Sequence, residues 1–335
     1  MPRIPTSVLI KAYRENSLLP LLLRECRSLT SARNELRWLR ERAVHDSQSA
    51  SRLTKGSPFG WRTRLRSDTE SFTVQAAKSV RQMALEHIHD SHPPQMGRPL
   101  RVLDLCTGTG CIALLLHTLL APHFKDLKIL GVDISDNALD LAQTNLEHNL
   151  RRGLLSNDAL TQVYFQRADV LDRGLDASLT VNEVLDQHFY ALGGNTEPHY
   201  APGLDLLISN PPYISTTDFR NGTTSRSVRR FEPKLALVPP TASNSGIPEE
   251  CNPEDIFYHH ILTLSLQSIA KITVLECGDI MQARRVVDMH KRMVSKMSGY
   301  FDAQIWPSSE RDLAENGFHH SDGARCVIIT RRDNV

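Results

Sequence analysis

Several absences narrow what this chain can be before any motif is considered. No apolar run approaches the ~18 residues that a membrane-crossing helix needs, so no membrane role is expected. The six cysteines (Cys26, Cys106, Cys111, Cys251, Cys277 and Cys326) are scattered and contain no CxxC pair. That spacing argues against a zinc site or a disulfide framework and reads as reduced thiols in a non-secretory compartment. A hydrophobic secretory core is missing near the start, and no segment repeats.

What is present is ordinary in bulk and uneven in distribution. The chain has 335 residues, 40% of them hydrophobic and 23% charged, enough for one large α/β domain with a smaller appendage. Net charge is +1, yet residues 1–66 hold 14 Lys/Arg against 5 Asp/Glu, a surplus of +9 that leaves −8 for the rest. Such asymmetry fits a docking face, a targeting segment or a polyanion patch, and equally a set of solvated helix faces. The first fourteen residues carry Arg3, Lys11 and Arg14 with no acid, as a mitochondrial presequence would, although Glu15 and Glu25 soon interrupt the pattern.

Apolar spacing divides the chain. Residues 1–55 read as helical: Thr30-Ser31 offers an N-cap, and Leu36, Leu39 and Ala43 share one face of a segment running to Val44. Gly56, Pro58 and Gly60 mark a linker or hairpin over 56–69. From residue 70 a helix to His89 precedes alternating elements. Strands are expected at Arg101–Leu105, Lys128–Val132, Gln162–Phe165, Leu204–Ile208, Ile272–Leu275 and Ala324–Thr330. Helices are expected at Cys111–Leu120 and Asp136–Asn149. This alternation predicts a doubly wound, mostly parallel α/β sheet over residues 70–335. Residues 173–203 and 239–254 read as surface insertions.

Three segments carry chemistry. In Asp104-Leu105-Cys106-Thr107-Gly108-Thr109-Gly110-Cys111 a strand ends, two glycines permit a tight turn, and a helix begins with its amides available to a ligand. Asp133 ends the second strand 23 residues after Gly110, where a carboxylate can accept from both hydroxyls of a ribose, while Ser135-Asp136 supplies the next helix cap. Together they predict an adenosine-containing ligand. The third segment, Asn210-Pro211-Pro212-Tyr213, follows the fourth strand, beside the first. Its prolines restrict the backbone, so the Asn210 side-chain oxygen and the Pro211 carbonyl form a fixed pair of acceptors suited to one NH2 group. Tyr213 adds a flat face for a planar amide or base.

With these segments the sequence resembles the HemK/PrmC family of peptide-chain release-factor glutamine methyltransferases. The resemblance covers nearly the whole chain. Asp104 to Ala113 is similar to the family's cofactor loop, Asp133-Ile134 to its ribose site, Asp169-Val170 to its adenine-contacting pair, and Asn210 to Tyr213 to its NPPY hallmark. Arg66-Ser67-Asp68-Thr69-Glu70 resembles its RPDTE segment, Phe231-Glu232-Pro233-Lys234-Leu235-Ala236-Leu237 its YEPxxAL stretch, and Leu275-Glu276-Cys277-Gly278 its LEvG strand end. Cys106 stands where a glycine is commoner, and Val170 where an aromatic is.

The resemblance implies a Rossmann-like, class I S-adenosylmethionine (SAM)-dependent methyltransferase with a small N-terminal helical domain at 1–55 that docks substrate. Asp104, Thr107, Gly108, Thr109, Gly110, Cys111, Asp133, Ile134, Asp169, Val170 and Asn210 would then bind cofactor. Asn210, Pro211, Pro212 and Tyr213 would act on the substrate, with Glu232 among its contacts. The implied substrate is a GGQ glutamine of a release factor, and a helical N-terminus implies the mitochondrial, fungal-like branch, with cytoplasm as the alternative. NPPY is shared with adenine N6-methyltransferases, so a DNA or RNA enzyme is a rival; the −8 balance of residues 67–335 speaks against a nucleic-acid groove. A catalytically inactive binding module is a second rival, opposed by the intact Asn210 and glycine loop. No metal is expected: His87, His89 and His92 share no helix face. His259-His260 and His319-His320 read as packing or exposed histidines, and Arg226, Arg229 and Arg230 as a solvated loop.

Overall fold

A computed structural model describes residues 5–15, 19, 29–30, 33, 73, 76–79, 99–173, 179–190, 203–240, 251–297, 299–306 and 325–332. The strands are β1 (Leu100–Leu105), β2 (Leu127–Asp133), β3 (Val163–Asp169), β4 (Leu179–Thr180), β5 (Leu206–Ser209), β6 (Ile272–Cys277), β7 (Tyr300–Trp306) and β8 (Arg325–Arg332). The α-helices are α1 (Thr6–Glu15), α2 (Cys111–Leu120), α3 (Asp136–Arg151), α4 (Ala159–Gln162), α5 (Val181–Leu185), α6 (Thr216–Asn221), α7 (Arg226–Phe231), α8 (Ile256–Gln267) and α9 (Ile280–Val294). The chain divides into two compact units, Met1–Leu65 with Ile214–Val238, and Arg66–Tyr213 with Pro239–Val335. Residues 214–238 thus group with the N-terminal segment, within the span 70–335 expected for the α/β domain.

In the first unit, Ala12 of α1 is buried and Arg33 forks onto Glu15 (Nε to Oε2, 2.8 Å). Both partners are substantially exposed, so the pair contributes little. Leu29 and Thr30 are already helical, so Thr30 lies inside a helix instead of capping one. The rest of that expected helix, the 56–69 hairpin, Arg66–Glu70, His87, His89, His92 and His319-His320 lie outside the described residues. Ser215 and Ser225 cap α6 and α7, accepting from Asp218 N at 3.0 Å and Val228 N at 3.3 Å. Arg226, Arg229 and Arg230 are therefore helical, not part of a loop.

The second unit holds an eight-stranded sheet of order β4-β3-β2-β1-β5-β6-β8-β7. All pairings are parallel except those of β8, which runs against β6 and β7 on either side. Central strands are largely apolar because both faces are covered. Alternation sends their side chains to two cores: Leu103, Leu105, Leu130 and Val132 face one with α8 and α9, whereas Val102, Ile129, Leu206 and Ile208 face the other with α2. Chain order reverses between β1 and β5, the switch point beside which open α/β sheets bind ligands, at the carboxyl ends of these two strands.

Three expectations need correcting. Residues 173–203 are not simply a surface insertion, because 179–190 form β4, α5 and a π-turn with Val181, Val184, Leu185 and Phe189 in the core. A capping box between Thr180 and Glu183 starts that helix, and its apolar spacing extends the core past β3. Within 239–254, Pro239 is buried, and Pro253 and Glu254 begin a 3-10 turn that ends on the buried Asp255 just beyond it. Strand β7 was missed although Phe301, Ala303 and Ile305 alternate with Asp302 and Gln304, the pattern of a half-buried edge strand. Among the described residues no helix is long and apolar enough to cross a membrane.

Candidate functional site

The carboxyl ends of β3, β2, β1, β5 and β6 bring Asp169, Asp133, Cys106–Gly110, Asn210–Tyr213 and Gly278 to one edge of the sheet. Register aligns Leu105 with Ser209, so the glycine loop and the Asn-Pro-Pro-Tyr turn leave the sheet side by side. Ser209 reinforces this by donating its hydroxyl to Leu105 O at 2.8 Å.

The glycine loop is pinned on several sides. Thr107 N donates to Val132 O (3.0 Å), Gly108 N to Asp133 Oδ2 (2.9 Å), and Asn145 Nδ2 of α3 to Thr109 O (3.0 Å). Its two glycines do different work. Gly108 has φ +55° and open space where a Cβ would sit, so its outer face can admit a ligand. Gly110 has φ +77°, and a Cβ there would lie 2.7 Å from the Phe165 ring, so it serves packing as well as the turn. Gly110, the N-cap residue of α2, has no side chain to cap it, and Cys111 there is exposed.

Asp104 and Thr107 take inward positions. Asp104 shares the face of β1 that carries Val102, beneath α2, and is fully buried. Its Oδ2 accepts from Thr107 Oγ1 at 2.6 Å and Ala113 N at 3.1 Å, while Oδ1 has no partner. Burial pushes its carboxyl up to about 7 against the two hydrogen bonds, and the nearby Asp133 charge adds to the rise. One amide of the α2 N-terminus is thus taken by Asp104, which braces the loop from below.

Asp133 is partly exposed, as are Ile134, Thr109 and Val170. It accepts from Gly108 N and, through Oδ1, from Ser135 N at 2.9 Å, and each oxygen keeps a further lone pair. Ser135 caps α3 by accepting from Ala138 N, leaving Asp133 clear of that task. Asp169 is buried and accepts from Leu171 N (3.0 Å) and from Arg173, whose Nε approaches Oδ2 at 2.8 Å. That arginine was not foreseen; its i,i+4 offset from Asp169 was the available signal. Pro211 and Pro212 are buried, with Asn210 and Tyr213 partly exposed at the mouth of the turn. Glu232 is exposed and belongs to the other unit. Among the described residues, no group of three or more His, Cys, Asp or Glu could hold a metal ion. His259 and His260 stack edge-on at 5.8 Å on α8, and burial lowers the pKa of both.

The ends of five strands therefore bring to one sheet edge a pinned glycine turn, an acid clear of its helix and an asparagine followed by two prolines. The reversed β8 and the Asn-Pro-Pro-Tyr turn separate this arrangement from the parallel dinucleotide folds. The class is that of Rossmann-like, class I SAM-dependent methyltransferases. Relatives sharpen this. The chain is 27% identical to the probable MRF1 mitochondrial N(5)-glutamine methyltransferase mtq1 of Schizosaccharomyces pombe, across 99% of this chain and 98% of that protein. It is 29% identical to the mitochondrial MRF1 N(5)-glutamine methyltransferase MTQ1 of Saccharomyces cerevisiae, across 71% of this chain and 68% of that one. A release factor glutamine methyltransferase of Chlorobaculum tepidum is 32% identical over 42% of this chain and 36% of its own length. No protein-family model matches the chain. The resemblance to the release-factor glutamine methyltransferases, on their fungal mitochondrial branch, is borne out by these relatives.

Proposed function

We propose that this enzyme transfers a methyl group from SAM to the side-chain nitrogen of the GGQ glutamine in a peptide-chain release factor, within mitochondria. The observation that carries the reading is the register of β1 with β5, which sets Asn210–Tyr213 beside the glycine loop. The end-to-end likeness to a fungal glutamine methyltransferase supports it.

The residues at the strand ends fit the cofactor. Gly108 offers an open backbone face, Asp133 keeps lone pairs for ribose hydroxyls, and Asp169-Val170 lie at the next strand end for adenine. Thr109, Gly110, Cys111, Ile134 and Asn210 complete that wall, with Asp104 and Thr107 bracing it. When bound, SAM supplies a methyl already activated by its sulfonium charge. An amide nitrogen is a poor nucleophile because its lone pair is delocalised, so the protein's part is orientation, an effect that reaches ~7–11 kcal/mol in well-aligned systems. Asn210 Oδ1 and the Pro211 carbonyl accept the two amide hydrogens and favour positive charge growing on nitrogen. Tyr213 supports the amide plane, and Pro212 stiffens the turn. The first unit, including residues 1–55 and the exposed Glu232, holds the protein substrate.

The test offers labelled SAM to a mitochondrial release factor, to its Gln→Ala variant at GGQ, and to duplex DNA. Label should enter only the intact factor; label in DNA instead would overturn the reading in favour of an adenine enzyme. Asn210→Ala should lower single-turnover transfer by about 10²–10³ with S-adenosylhomocysteine affinity little changed.

A further inference from the structure

Outside the strand ends, one buried side chain touches the candidate catalytic turn and nothing above gives it a role. Gln282, 3% exposed, sits in the first turn of α9. Its Nε2 donates to Tyr213 O at 3.2 Å and to Asp255 Oδ1 at 2.9 Å, and its Oε1 accepts from Gly278 N at 2.9 Å. Both amide hydrogens are thereby used. The amide has one workable orientation: turned over, its NH2 would face the Gly278 N–H and its oxygen would face the Asp255 carboxylate.

The neighbours hold Gln282 in turn. Asp279 Oδ1 accepts from Gln282 N at 2.7 Å, fixing the start of α9. Asp255 is 1% exposed and is gripped by Arg285, with Nη2 to Oδ1 at 3.0 Å and Nε on Oδ2. The Tyr213 ring lies over Gly278, where an added Cβ would meet Cδ2 at 3.0 Å. A single amide thus joins the turn after β5 to the turn after β6. The sequence carries a sign of this, because Asp279-x-x-Gln282 has the spacing of a capping box; here the glutamine reaches one residue further back and across to another loop.

We propose that Gln282 is a positioning residue for methyl transfer, setting the Asn210–Tyr213 turn through the Tyr213 carbonyl. The proposal rests on the function assigned above. Two prolines leave that turn few free torsions. Its entry is fixed by β5 pairing and the Ser209–Leu105 bond, and its exit by Gln282. With both ends held, the Asn210 oxygen and the Pro211 carbonyl are held as well. Glutamate at 282 would keep the acceptor for Gly278 N, lose both donors and place its charge against Asp255. Methionine would leave all three partners unanswered.

The test compares Gln282→Met and Gln282→Glu with Val287→Ala, a core change on the same helix five residues further along. Single-turnover methyl transfer to the release factor should fall about 10–100-fold in both Gln282 variants, the scale of an ångström-level misplacement. S-adenosylhomocysteine affinity and release-factor KM should stay within about threefold. Val287→Ala, compared at equal fraction folded, should transfer at the wild-type rate. Hydrogen exchange in the peptide spanning residues 206–214 should accelerate in the Gln282 variants alone, a readout that needs no activity. Wild-type transfer rates in both Gln282 variants, or unchanged exchange there, would overturn the proposal. Absence of transfer by the wild-type enzyme would sink the assigned function, leaving the exchange result to decide whether Gln282 sets the turn.

Discussion

The two ends of the sheet treat buried carboxylates in opposite ways. At the amino end, Asp205 is nearly fully buried, yet it accepts from Arg101 N at 3.0 Å and pairs with Lys271 at 3.3 Å. At the carboxyl end, Asp104 is equally buried and, among the described residues, has an oxygen with no partner and no paired cation. Asp133 lies close enough to raise it further, whereas Asp169 is paired with Arg173. The strands are the same strands, so secondary structure does not explain the contrast. An end that serves only stability closes its charges. An end that, on the proposed function, receives a sulfonium and an ammonium group leaves its buried acids under-compensated and carries the energetic cost in the free protein.

The largest effect tests the closed end. Asp205→Ala removes the acceptor that answers both the Arg101 amide and the Lys271 ammonium. Breaking a buried pair by deleting one partner should cost about 3 kcal/mol, toward the lower end of such losses because Lys271 can reach water. Urea denaturation measures the loss. Affinity for S-adenosylhomocysteine at a temperature where the variant is folded should not change. Weakened cofactor binding with little loss of stability would reverse the assignment of the two ends.

The next effect tests the open end and has a defined sign. The Asp104 carboxyl lies at about 7 in the folded protein against an ordinary value of 3.8. Its folded value is raised, so the native state holds a proton that the unfolded chain has released, and stability falls as pH rises from about 4 to about 7. Above that window both states are ionised and the contribution is flat. Asp104→Asn keeps an acceptor for Thr107 and Ala113 and cannot ionise. Relative to wild type, the variant should gain about 1.4 kcal/mol per pH unit between pH 5 and 7, then no more. Taking the difference cancels the buried histidines, such as His117 and His290, whose lowered pKa values bend both curves alike. A flat difference across that range would mean that Asp104 is ionised throughout and that this end carries no such cost.

How much of this was legible in the sequence depended on whether the signal was local. The β1–α2 and β2–α3 units, with Gly108, Gly110 and Asp133, could be read because strand, turn and cap all lie within a few residues of each other. The Ser135 cap is one such local signal. Strand β7 carries its alternation over only seven residues at a sheet edge, and the core role of 179–190 shows only once its apolar side chains meet those of other elements. The inward turn of Asp104 follows from strand parity, which becomes decisive only once α2 is known to cover the face shared with Val102. Gln282 was invisible as a contact of Tyr213 because 69 residues separate them, although its cap spacing was in view.

The smallest effect concerns the residue that joins the two ends' logic, Cys106, at the exit of β1. It adopts φ +57°, a left-handed conformation that costs a residue with a Cβ roughly 1–2 kcal/mol. The sequence comparison had marked this position, since glycine is commoner there. Replacing Cys106 by glycine alone is ambiguous, because relief of strain is offset by loss of the sulfur's packing against the core. Comparing Cys106→Gly with Cys106→Ala removes the ambiguity, since both lack sulfur and differ only in the Cβ. At an ordinary backbone position alanine is the more stable of the two by about 0.4–1 kcal/mol, because glycine leaves the unfolded chain more freedom. Here strain should outweigh that term and reverse the order, with glycine ahead by about 0.5–1 kcal/mol in urea midpoints at constant slope. The reversal would show that the open end stores backbone strain as well as uncompensated charge. Alanine ahead of glycine would mean that Cys106 relaxes out of the left-handed region in solution, and the glycine loop would then have to be held by its Val132, Asp133 and Asn145 contacts alone.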